Sequence, residues 1–190
     1  MAINYEVRFA TNPVDFKSYD TERIRNQFLI RDIMIPGNIR MVYSHYDRLI
    51  VGGAVPSGVP LVLETIDPLK AEYFLQRREI GIINVGNTGI IEVDDESYEL
   101  NMKEGIYIGR ENKKVVLKSV DKDKPAHFYF NSAPAHKKFQ TRKVGLADAQ
   151  VAEPGSLETS NARRINKLLV HGVVDTCQVQ MGITDLKTGS

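Results

Sequence analysis

A single cysteine, Cys177, stands in the 190 residues, so no disulfide closes within them and a reducing compartment fits. It lies among strand-like residues and reads as a buried structural thiol rather than a nucleophile. No apolar run approaches the ~20 residues that cross a bilayer. The start, MAINYEVRFATNP, carries charge where a signal peptide needs an apolar stretch. Neither sign of charge prevails, since 25 basic and 24 acidic residues leave +1, and nothing in that balance favours nucleic acid or an anionic membrane. GxxxxGK, a GxGxxG after a strand, and GxSxG are all missing, which removes the usual marks of nucleotide-dependent and serine-hydrolase chemistry. The expected setting is the cytoplasm, with neither a nucleic-acid nor a membrane partner.

What is present is an ordinary globular composition, 42% hydrophobic and 26% charged, on a chain long enough to bury a sizeable core. Residues 1–40 read as a lead segment in which Asp20 or Thr21 caps a short helix carrying Ile24 and Phe28 on one face. Pro36-Gly37 ends that segment. From 41 to 131 the pattern is β: Met41–Val55, Ile80–Val85, Ile90–Val93, Ser97–Leu100, Ile106–Ile108, Val115–Val120 and Ala126–Phe130, divided by Gly, Asp and Pro turns. Short strands at this spacing, without crossover helices, predict a mainly β antiparallel sandwich or barrel. Residues 132–158 read as a surface linker rich in Ala, Lys, Pro and Gly. Residues 159–190 read as the start of a second β unit, with Cys177–Thr184 alternating as a half-buried strand. That unit does not close before Ser190, so the chain reads as incomplete.

Candidate chemistry is sparse. A zinc-like site needs three or four convergent ligands, yet His45, His127, His136 and His171 include no pair at the spacing that shares a strand or helix face. Tyr43, His45 and Asp47 would share one face of a strand, as an acid–base pair or as a hydrogen-bonded patch at a subunit interface, the interface being favoured. Arg163 and Arg164, in TSNARRINK, suit carboxylate capture or a solvated or bridging role. Asn131-Ser132-Ala133-Pro134-Ala135-His136 reads as a turn leaving the β region, or as a site loop.

The segment EYFLQRREIGIINVGNTGIIEVDDESYELNMKEGIYIGR (72–110) resembles the cupin barrels. Those barrels mark a metal site with two close histidines, a glutamate and then a glycine. Glu79 and Gly86 keep the last spacing, while Glu72, Tyr73, Phe74 and Leu75 stand where the histidines would fall. Glu79 is then a retained cupin carboxylate or, with the histidines gone, a carboxylate paired to Arg77 or Arg78.

Longer strings carry a narrower resemblance. MVYSHYDRLIVGGAVP (41–56), YFLQRREIGIINVGNTGIIEVD (73–94), FYFNSAPAH (128–136), TSNARRINK (159–167) and DTCQVQMGITDL (175–186) resemble the bacterial 5-keto-4-deoxyuronate isomerase family. The resemblance implies a bicupin assembled as a hexamer. It implies an aldose–ketose isomerase converting 5-dehydro-4-deoxy-D-glucuronate to 3-deoxy-D-glycero-2,5-hexodiulosonate in pectin and other polyuronate breakdown. It implies one divalent ion, typically zinc, held by three histidines and a glutamate of the second barrel, beyond the equivalent of Leu186. No metal ligand, catalytic residue or substrate contact is thereby placed within 1–190, although Arg163 or Arg164 is a possible carboxylate partner. On this reading residues 1–190 alone are inactive. A catalytically silent cupin module for assembly or sugar binding is the alternative.

Overall fold

The structure is a computed structural model and describes residues 3–188; Gly189 and Ser190, where the second β unit was read to stop, lie outside the described residues. The elements follow in the order β1 (Asn4–Arg8), α1 (Thr21–Phe28), β2 (Ile39–Ser44), β3 (Ile50–Ala54), β4 (Leu61–Val62), β5 (Arg78–Asn84), β6 (Gly89–Val93) and β7 (Glu96–Leu100). Then come β8 (Gly105–Ile108), β9 (Val115–Ser119), β10 (Phe128–Pro134), β11 (Arg142–Val144), β12 (Gln150–Ala152), β13 (Arg163–Leu169) and β14 (Met181–Leu186). The fold is mainly β, as its turn spacing predicted. Asp20 caps α1, its carboxylate accepting from the Arg23 amide at 2.8 Å, although Ile24 and Phe28 stay partly exposed.

Three sheets form. The largest has the order β1-β2-β3-β10-β5-β8-β11, the second β4-β9-β6-β7, and the third β12-β13-β14. All pairings between these strands are antiparallel except β1 with β2. The first two sheets enclose one core, in which Met41, Ile50, Ile80, Ile82, Phe128 and Phe130 meet Ile91, Val93, Leu100 and Leu117. The large sheet also takes in β1 from the lead segment and β11 from the stretch read as a linker, so these two sheets reach beyond residues 41–131 on both sides.

Strand β5 organises the rest because every one of its residues is buried. A strand covered on both faces reads as a continuous apolar run rather than an alternation, which explains Ile80–Ile83; Val85, read as part of the same run, lies past the end of β5 and is exposed. Ile80 and Ile82 point into the inner core, and Arg78 shares their face by the two-residue period. Glu79, Gly81 and Ile83 point the other way, toward a second core on the outer face of the large sheet. There Ile83, Tyr107, Ala133 and Val144 pack on Leu168, Leu169, Val174, Val179 and Met181. The third sheet is therefore not left with both faces bare, as the strand pattern alone suggested.

Gly81 sits at the closest approach of these layers. A methyl group there would lie 2.6 Å from Met181 Sδ and 2.7 Å from Leu169 Cδ1. Gly81→Ala is expected to destabilise by about 1–3 kcal/mol through overpacking, read as a lowered urea midpoint. Gly86, the cupin-spaced glycine, has its own steric reason, since a Cβ there would come within 2.5 Å of the His127 backbone nitrogen.

Several local expectations change. Met41–Val55 is two strands, because Asp47 (φ 51°) and Arg48 (φ 52°) turn left-handed between them. Asn131–Pro134 is not a turn but the end of β10, paired to β3 through Ser132 and to β5 through Pro134. Residues read as a linker supply two short strands, β11 on β8 and β12 on β13. The alternating strand begins at Met181, not Cys177; residues 177–180 are irregular, the amides of 177–179 being turned to Glu79.

Candidate functional site

The two faces of β5 carry two different polar constellations. On the outer face the Glu79 side chain is completely buried. Its Oε2 accepts from the Tyr107 hydroxyl and from the Cys177 amide, each at 2.7 Å. Oε1 accepts from the amides of Gln178 at 2.6 Å and Val179 at 2.7 Å. Three successive backbone N–H groups thus form a concave anion cradle, and the chain must leave regular strand geometry to aim them together. Burial first, and then the bond to Glu79, raise the Tyr107 pKa far above the ordinary phenol range, so the hydroxyl remains a donor.

This settles the chemistry open to Glu79. No arginine touches it among the described residues; the expected pairing with Arg77 or Arg78 fails because Arg78 lies on the opposite pleat face and Arg77 turns to the Leu69 and Lys70 carbonyls. With four donors satisfied, the carboxylate is an anchor holding residues 177–179 to the large sheet. It has no lone pair in reach of a substrate without breaking that anchor.

On the inner face, at the edge of the first core, Arg78 is only 5% exposed. Its Nε donates to Ser132 Oγ at 3.1 Å, and its Nη2 donates to the carbonyls of Arg48 and Ser132, each at 2.7 Å. Burial lowers its pKa to about 10; the nearby Arg48 charge adds to the fall and Tyr43 opposes it, so the guanidinium stays charged at neutral pH. Arg78 lines a cavity of about 200 Å³ together with Tyr43, Arg48, Leu69, Phe74 and Arg77. This cationic cavity was not anticipated. The one signal for it is an arginine at the head of β5, in phase with the apolar Ile80 and Ile82.

The other sequence candidates do not converge. Tyr43 and His45 do meet edge to face at 5.3 Å between ring centroids, but His45 is exposed and also stacked on Phe9 at 4.5 Å, and Asp47 leaves their strand face at the turn. His127 packs at Gly86, His136 is exposed, and exposed His171 lies 3.9 Å from Asp175. No group of three His, Cys, Asp or Glu suited to a metal exists among the described residues. The described donors therefore do not fit a zinc ion. Arg164 faces Glu153 at 3.6 Å and bonds Asn166, while Arg163 bonds the Asn161 carbonyl, so neither reaches the cavity lined by Arg78. Cys177 is half-buried rather than a strand residue, its thiol directed to the Lys137 carbonyl at 3.3 Å.

Comparison with known proteins agrees with these strings of sequence. A 4-deoxy-L-threo-5-hexosulose-uronate ketol-isomerase of Formosa agariphila is 54% identical over all 190 residues, which cover 68% of that relative. The corresponding ketol-isomerase 1 of Bacteroides thetaiotaomicron is 55% identical over the same length and share. A crystal structure of an IolB-like protein from Salmonella typhimurium aligns with a TM-score of 0.49 at 11% identity, covering 63% of this chain and 43% of that one. The KduI/IolB family matches residues 36–189, and the chain belongs to that family.

Proposed function

We propose that the protein is a ketol-isomerase acting on the open-chain keto-deoxyuronate of polyuronate breakdown. The observation that carries this reading is the 54% identity over 190 residues with a ketol-isomerase. The reaction moves a carbonyl from C1 to C2 of one substrate. A proton leaves C2 and one is returned to C1, while the hydroxyl proton passes from O2 to O1, so no redox cofactor is consumed. A divalent ion, zinc by resemblance, would stabilise the enediolate charge, and we place it in the part of the relatives that this chain does not match. Residues 3–188 then act as scaffold, with Glu79 fixing the start of the following unit. No comparison favours the silent-module alternative.

Assembly as a hexamer and residence in the cytoplasm belong to the same proposal. Exposed Phe9, Val14, Phe16 and Phe28 are apolar surface of the kind that assembly covers, and no helix of the described residues is long and apolar enough to cross a membrane. The test is to incubate the full gene product with 5-dehydro-4-deoxy-D-glucuronate and follow carbon NMR. Loss of the C1 aldehyde signal with growth of a C2 ketone is expected. An unchanged spectrum with folded, zinc-supplied protein would refute the assignment.

A further inference from the structure

We propose that the cavity lined by Tyr43, Arg48, Arg77 and Arg78 binds a small organic carboxylate. This site lies at the edge of the inner core and does not rest on the isomerase reading. Three guanidinium groups line one cavity, and none of its lining residues is acidic. None of the three arginines forms an ion pair with a described carboxylate. A buried cation without a counter-charge is costly to maintain, and here a second cation, Arg48, lies close enough to act on the first.

Arg78 uses Nε and Nη2 on fixed oxygens, and its Nη1 has no hydrogen bond to a described residue. Tyr43 is 6% exposed, and its hydroxyl likewise has no partner among the described residues. Arg77 is held by the Leu69 and Lys70 carbonyls through Nη2, each at 2.8 Å, which leaves its other donors uncommitted. The cavity therefore presents positive charge and spare donors, Arg78 from a buried position and Arg48 and Arg77 from exposed ones. A carboxylate supplies two coplanar acceptor oxygens that match the guanidinium fork. Leu69 and Phe74 offer apolar wall to a carbon skeleton. A volume of about 200 Å³ is below the ~300–1,000 Å³ of drug-sized sites, so the ligand is small.

The test is isothermal titration calorimetry at low ionic strength with galacturonate, its neutral counterpart galactose, and inorganic phosphate. Saturable one-to-one binding of galacturonate and none of galactose is expected. Arg48→Gln should weaken galacturonate by at least about tenfold, the loss of one charge-assisted contact, and Tyr43→Phe should weaken it several-fold. Neither variant removes a hydrogen bond among the described residues, and circular dichroism checks that both fold. Arg142→Gln, at an exposed position of β11 outside the cavity, should leave binding unchanged. Binding by Arg48→Gln equal to that of the parent would overturn the proposal. So would the absence of galacturonate binding, equal binding of galactose, or tighter binding of phosphate than of galacturonate.

Discussion

Glu79→Ala is expected to lower folding stability by about 3–5 kcal/mol, because it leaves several buried donors without an acceptor. The donors are the Tyr107 hydroxyl and the amides of Cys177, Gln178 and Val179, all within 2.7 Å of the carboxylate. A water molecule in the vacated space would restore part of this, which sets the lower end of the range. Glu79→Gln keeps the volume but offers one acceptor oxygen instead of two, so its loss should be smaller and still measurable by urea denaturation. Hydrogen exchange supplies the local readout. The three amides should exchange much faster in Glu79→Ala, while those of β3 and β10 remain protected until global unfolding. A loss below about 1 kcal/mol, the net worth of an ordinary hydrogen bond, would show that the anchor is dispensable.

Phe130→Ala should cost a similar amount, about 3–5 kcal/mol, by another route. Phe130 is fully buried between the two sheets. Its ring occupies the space where a side chain on Gly52 would stand, since a Cβ there would lie 2.3 Å from Phe130 Cζ. No side chain at Gly52 can relax into the vacated volume, so the cavity stays open and the upper half of the range applies. Unlike the loss of Glu79, this change should lower protection throughout both sheets of the inner core. Equal and global effects of the two substitutions on exchange would contradict the separation into inner and outer cores.

The two cores explain what the sequence revealed and what it hid. Strand positions from Ile80 to Phe130 are legible because turns such as Gly86-Asn87-Thr88-Gly89 and Asp94-Asp95-Glu96 act locally. The family was legible as well, in long strings rather than in any motif. The Glu79 anchor was not, because three of its four donors lie 98 to 100 residues away and are backbone groups with no side-chain signature, and the fourth, the Tyr107 hydroxyl, lies on a different strand. The irregular stretch before Met181 looked like strand for the same reason: Cys177 and Val179 alternate correctly, yet their amides face a carboxylate instead of a neighbouring strand. The arginine cavity needs tertiary placement too, since Arg48 comes from a left-handed turn and Arg78 from β5. Strands as short as β11 and β12 carry too few residues for alternation to show.

On the proposed function, these residues are scaffold and small-carboxylate site, and the isomerase metal is held outside them. Zinc titration of the 190-residue chain, followed by metal analysis after gel filtration, tests this most directly. No stoichiometric zinc should remain with the folded chain, in keeping with the scattered His45, His127, His136 and His171. One tightly held zinc per chain would contradict the account and place the metal chemistry within these residues.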